Sequence, residues 1–169
     1  MMEQSMFTDA ELQLSTERRL KYQGTAKISL DQISRHPSAT TQLNPKNIER
    51  LCDIFREDGC HRFDIQNHVT AVVSRRHLKR ARRAARITAD DLLTKPPEKN
   101  PVLCFPSGQV HCLHGQHRLK AAEKTLAPSE RWWTVDLYLD GEPALHLIPS
   151  LCTNVHRWCL RLTSDRYKP

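Results

Sequence analysis

The stretch Leu113-His114-Gly115-Gln116-His117-Arg118-Leu119-Lys120-Ala121-Ala122 decides how this chain folds. It stands after two short apolar runs, Val102–Phe105 and Val110–Leu113, and before the strand-like Trp132–Leu139. A strand that ends at a glycine and opens directly into a helix is where α/β architectures hold anionic groups. The first backbone N–H groups of a helix have no internal partners, and its dipole is positive at that end. Gly115 has no Cβ, so a ligand or a neighbouring backbone can approach it closely. His114, Gln116, His117 and Arg118 then flank the opening as donors for phosphate or carboxylate. The plainer reading is a tight turn whose helix only packs.

Working outward, Gln116–Leu126 reads as the helix, bounded by Pro128. Asn44-Pro45 supplies a cap and a first helical residue, and Ile48, Leu51, Ile54 and Phe55 recur at helical spacing up to Asp58-Gly59. His68–Val73 is short and β-branched, as a buried strand should be. Ser74 is placed to cap a helix from Arg75 to about Ile87, and Thr88 starts a short turn through Leu93. Val102–Phe105 and Gln109–Leu113 around Pro106-Ser107-Gly108 predict a hairpin. Ala26–Leu30 is a short strand candidate, Ser34–Gln42 a loop, and Thr8 to about Tyr22 a surface helix. Beyond Asp140 the pattern weakens, with Pro143 and Pro149 interrupting any long helix. Together these predict an α+β domain over residues 25–140, a partly helical extension at 1–24 and a weakly structured segment at 141–169.

Charge is concentrated in one place. Arg75, Arg76, Lys79, Arg80, Arg82, Arg83 and Arg86 account for the whole net charge of +7, because the other 19 basic residues match the 19 acidic ones. Leu78, Ala81 and Ala85 leave this helix a narrow apolar stripe, and the cations cover the rest. Such a surface pairs with nucleic-acid phosphates or serves as a nuclear-import signal, so DNA and an import receptor are the partners it suggests. No aromatic residue lies within it, which argues against base stacking from this helix. No apolar run reaches the roughly 20 residues of a membrane helix. The N-terminal residues lack a secretory pattern, so the expected location is intracellular, with the basic segment pointing to the nucleus.

Two other clusters carry potential chemistry. Gly59-Cys60-His61-Arg62, with Asn67-His68 nearby, places a thiol beside His and Arg, as a nucleophile requires; a helix end followed by a connector accounts for it equally simply. Arg62 and His68 precede strands and are candidates for the wall opposite the glycine turn. Cys104, His111, Cys112, His114 and His117 are metal-ligating types, but zinc sites use closely spaced pairs that converge, and this spacing does not provide them. The six cysteines form no Cys-x-x-Cys pair and read as reduced thiols.

The order of strand, capped helix Asn44–Gly59, strand, then His114-Gly115-Gln116-His117-Arg118 opening a helix before another strand resembles the ParB/sulfiredoxin-like superfamily. The segments Gly59-Cys60-His61-Arg62, Asn67-His68-Val69, Leu113–Arg118 and Trp132–Tyr138 are similar to those of a family of filamentous-fungal proteins with no established activity. The resemblance covers about residues 25–140. It implies a small mixed sheet flanked by helices, to which the basic helix is an addition, and a Gly-x-x-Arg turn that binds nucleotide phosphates. Sulfiredoxin-like enzymes carry a catalytic cysteine inside that turn; here Gln116 takes its place, so that reductase activity is not expected. The superfamily's Glu-Asn-x-x-Arg segment, which helps hold Mg²⁺, has its nearest match in Thr153-Asn154-Val155-His156-Arg157. Threonine there replaces the carboxylate that a hard dication prefers. Three functions follow as expectations: a binding domain for a nucleotide or other phosphate-bearing ligand, a DNA-associated protein acting through Arg75–Arg86, or a shortened family member without retained activity.

Overall fold

The structure, a computed structural model, describes residues 16, 19–39 and 42–140. Five strands form one sheet: β1 (Tyr22–Ser29), β2 (Ile33–Arg35), β3 (Val69–Val73), β4 (Val110–His114) and β5 (Trp132–Leu139), in the order β1-β5-β3-β4-β2. β1/β5 and β3/β4 are antiparallel, whereas β5/β3 and β2/β4 are parallel. With helices α1 (Pro45–Glu57), α2 (Arg75–Ala85), α3 (Asp90–Thr94) and α4 (Gln116–Thr125), this is an α+β domain with a mixed sheet. No described helix is long and apolar enough to cross a membrane.

Strand alternation gives the sheet one apolar face. Ile28 pairs with Trp133, Ala26 with Val135 and Val135 with Val69, while Leu137 meets Ala71 and Ala71 meets Cys112. Every one of these residues is buried. Leu78 and Ala81 of α2 and Leu92 of α3 join Ala26, Ala71 and Leu137 in one cluster. Phe55 of α1 and Ala122 of α4 pack around Val69 and Trp133 in another. The central strand β3 buries Val72 as well, on the other face, which explains its near-continuous apolar run.

Local chemistry sets the helix boundaries. Asn44 Oδ1 accepts from the Lys46 N–H at 3.0 Å, and Ser74 Oγ accepts from the His77 N–H at 3.2 Å, so each satisfies an orphan donor of a first turn. Thr88 and Asp91 cap α3 reciprocally, the Thr88 N–H donating to Asp91 Oδ2 at 2.7 Å and the Asp91 N–H to Thr88 Oγ1 at 3.3 Å. The Thr88 N–H and hydroxyl, both donating to Asp91 Oδ2, together with the Lys95 ammonium bring the Asp91 carboxyl down to about 2. α2 ends one turn's edge earlier than its sequence suggests, because Arg86 adopts a left-handed conformation with φ 55°.

Two expectations are corrected. Val102–Phe105 does not form a hairpin with β4: Leu103 N–H donates to Lys27 O at 3.0 Å and Lys27 N–H to Pro101 O at 2.8 Å, so the segment lies along the outer edge of β1. The Pro106-Ser107-Gly108 turn instead delivers β4 between β3 and β2. The Ser34–Gln42 stretch read as a loop contributes to β2, a strand of only three residues. Of the N-terminal helix only residues 19–21 are described beside its isolated residue 16; they are helical, and β1 takes over at Tyr22. The expected segment at 141–169 lies outside the described residues.

Candidate anion-binding site

β4 ends at His114, and Gly115 turns the chain into α4 with φ 100°, a conformation that disfavours any residue with a side chain. A Cβ at Gly115 would lie 2.6 Å from Val69 Cγ2. The close approach that glycine permits is made by Val69 of β3, the neighbouring-chain alternative of the two that the sequence allowed. It lets α4 start hard against the sheet, and the small Ala121 and Ala122, both fully buried, keep it there. Gln116 folds back, its Nε2 donating to Cys112 O at 3.4 Å.

His117 makes the decisive contact. Its Nε2 accepts the backbone N–H of Asn44 at 2.9 Å. Asn44 is the cap of α1 and His117 belongs to the first turn of α4, so the starts of two helices meet at one corner. An accepting Nε2 assigns the ring proton to Nδ1. Burial pushes the His117 pKa below the ordinary histidine value, which matches an imidazole held neutral as an acceptor. Both helices begin here with the positive ends of their dipoles, but the first-turn donors come from α4, because Pro45 has no N–H and the Lys46 N–H is taken by Asn44 Oδ1. Lys46 is exposed on the α1 side; Arg118 is half-buried on the α4 side, with its Nη1 shielded from solvent. His114 sits at the end of β4 opposite Thr70.

A family profile described as "Protein of unknown function (DUF3723) N-terminal domain" matches residues 21–156, most of the chain. The chain belongs to the DUF3723 family. The five strands and four helices β1–β5 and α1–α4 of the described residues lie within the matched region. No curated protein sequence matches the chain. Among solved structures, the C-terminally truncated chromosome-partitioning protein ParB from Caulobacter crescentus, complexed with CTP-gamma-S, is similar at 12% identity with a TM-score of 0.43. That similarity covers 75% of this chain and 52% of the ParB chain, so the DUF3723 chain spans about half of the solved one.

The remaining predicted residues of the DUF3723 domain lie elsewhere. Arg62, expected as the wall opposite the glycine turn, is committed to other groups: Nη1 donates to Glu130 O at 2.7 Å and Trp132 O at 3.2 Å, and Nη2 pairs with Glu130 at 3.0 Å. Its guanidinium also lies 3.8 Å from the Trp132 ring centroid. His68, the other wall candidate, turns to Asp136 at 3.0 Å. Burial raises the Cys60 thiol pKa, with Arg62 only partly opposing it, so the thiol stays protonated and is a poor nucleophile. Among the described residues no three His, Cys, Asp or Glu converge as a metal site would require. On α2, Leu78 and Ala81 are buried as the stripe predicted, while Arg75, Arg76, Lys79, Arg80, Arg83 and Arg86 are exposed and Arg82 is half-buried. The contribution of Asn44 to the corner was not legible from the sequence. Asn44-Pro45 signals a helix start, but nothing local announces a partner 73 residues away.

Proposed function

We propose that the DUF3723 domain binds a phosphate-bearing ligand, a nucleotide foremost, where α1 and α4 begin. The observation that carries this reading is the Asn44–His117 hydrogen bond, which brings two helix N-termini to one point. Neither His114–Arg118 nor Asn44–Asn47 contains an acidic residue, so no carboxylate from these segments repels an anion. First-turn amides of α4 would bind the phosphate oxygens, and Arg118 and Lys46 would add charge-assisted bonds. His117 has a different role from the one its sequence position suggested: it fixes the geometry through Nε2 and leaves charge to its neighbours. The absence of a corner carboxylate makes binding without Mg²⁺ the expected behaviour.

Calorimetric titration with nucleoside triphosphates and inorganic triphosphate, with and without Mg²⁺, tests this. Arg118→Ala is expected to weaken binding at least tenfold, a loss of about 1.4 kcal/mol, while circular dichroism is unchanged. Unaltered affinity in that variant, or no heat from any of these anions, overturns the assignment.

A second reading rests on α2. Arg76, Lys79, Arg80 and Arg83 line a shallow hollow of about 380 Å³. None of the seven basic residues of the segment forms an ion pair among the described residues. Uncompensated cations on a rigid helix favour contact with the phosphate backbone of a nucleic acid.

A further inference from the structure

The sheet face opposite the apolar one carries a chain of polar groups that the corner does not use. Thr25 of β1 and Asp136 of β5 are cross-strand partners, and the Thr25 hydroxyl donates to Asp136 Oδ1 at 2.7 Å. With that proton committed, the Tyr22 hydroxyl donates to Thr25 Oγ1 at 2.8 Å. His68 Nδ1 lies 3.0 Å from the same Asp136 oxygen, and its Nε2 3.3 Å from Phe63 O. These contacts hold the carboxylate in one orientation with no lysine or arginine paired to it among the described residues.

Asp136 lines a cavity of about 200 Å³ together with Tyr22, Asn100, Ile65, Leu93 and Pro97. That is room for one side chain, below the 300–1,000 Å³ typical of drug-sized ligand pockets. Asn100 is the informative residue. It is 6% exposed as a residue, and its side-chain amide, to which no described residue hydrogen-bonds, is one of the groups lining the cavity. An amide reached from the cavity can meet an occupant's polar group, offering both a carbonyl acceptor and N–H donors. Among the described residues Lys95 is the one lysine or arginine lining the cavity, and it is engaged by Asp91 at 3.0 Å. The cavity also has apolar sides, and two of them face outward: Ile65 is 77% exposed and Leu93 53%.

We propose that this cavity receives an arginine side chain from a partner polypeptide. The Asp136 carboxylate and the Asn100 carbonyl are acceptors contributed by different parts of the chain. A planar guanidinium offers donors in several directions and is more weakly hydrated than an ammonium. The Tyr22 ring provides a face on which it stacks. Ile65, Leu93 and Pro97 suit the aliphatic stem. The outward exposure of Ile65 and Leu93 extends apolar surface beyond the cavity, which a partner backbone covers and a free small molecule does not.

The test is a titration of the full chain, followed by amide chemical shifts, with a capped Ala-Arg-Ala peptide and its citrulline counterpart. Citrulline keeps the shape and removes the charge. The arginine peptide is expected to shift the amides around residues 65, 93, 100 and 136, and the citrulline peptide to bind at least tenfold more weakly. Asp136→Asn should bring the two peptides to similar affinity. Because Asp136 also bonds Thr25 and His68, Leu93→Lys at the exposed rim serves as the variant that spares the fold, and it should abolish the shifts. Equal binding of both peptides to the unaltered chain, or no shifts at millimolar peptide, overturns the proposal. Arg118→Ala should leave these shifts intact, which separates this result from the outcome at the corner.

Discussion

Gly115 meets two demands together: a left-handed backbone and a space already filled by Val69. Gly115→Ala is expected to cost about 2–4 kcal/mol from backbone strain and overpacking. Urea denaturation reads this directly, and a loss below 1 kcal/mol would mean that Val69 moves aside freely. His117 gives a pH prediction. Its folded pKa lies below the ordinary value because of burial, and His36 is lowered as well, by burial and then by His111. The unfolded chain thus binds more protons than the folded one below about pH 6.5, so stability is full above that pH and declines as pH falls. The denaturation midpoint should drop between pH 7.5 and pH 5.5, and less so in His117→Asn; identical slopes would remove His117 from the explanation. At this scale the sequence supplied the residue types of the corner but not their roles. Gly115, His117 and Arg118 stood out, whereas the assignment of Arg62 to Trp132 and of His68 to Asp136 depends on strand pairing that no local pattern encodes.

At the scale of elements, caps and periodicity were the reliable signals. Asn44-Pro45, Ser74 and the apolar spacing of α1 located helices nearly to the residue, because the same first-turn chemistry that specifies a helix start also appears in the sequence. Strand partners were less legible. The apolar run Val102–Phe105 looks like half of a hairpin, yet β1 offers its outer edge to the same backbone groups and wins. α2 is the element on which two partner readings diverge. Its cations are presented by a helix whose Leu78 and Ala81 are built into the core cluster. A phosphate backbone meets that surface as it stands, whereas a receptor that needs an extended strand must first unwind it. Leu78→Ala is expected to destabilise the domain by about 2–4 kcal/mol, measured by chemical denaturation. A negligible loss would show that α2 is not anchored as its burial indicates.

At the scale of the molecule, a balanced body carries one cationic face. If four α2 residues contact a duplex, log affinity should fall against log salt with a slope near −3.6, about −0.9 per contact. Arg76→Gln and Arg80→Gln together should flatten that slope by roughly two and leave nucleotide binding at the corner unchanged. A fluorescence-anisotropy series across salt concentrations decides it, and a slope near zero rules the surface out. The overall α+β architecture was readable because the longest strand, the glycine corner and the capped helices are each locally encoded. The strand order was not, and it carries a consequence of its own. β5 sits between β1 and β3, so among the described strands β1 joins the sheet through β5, with Thr25 reaching across 111 residues to Asp136. A ribosome must therefore release nearly the whole domain before β1 can enter the sheet. Such long closure slows assembly and leaves the early product dependent on shielding from other chains until synthesis passes residue 139.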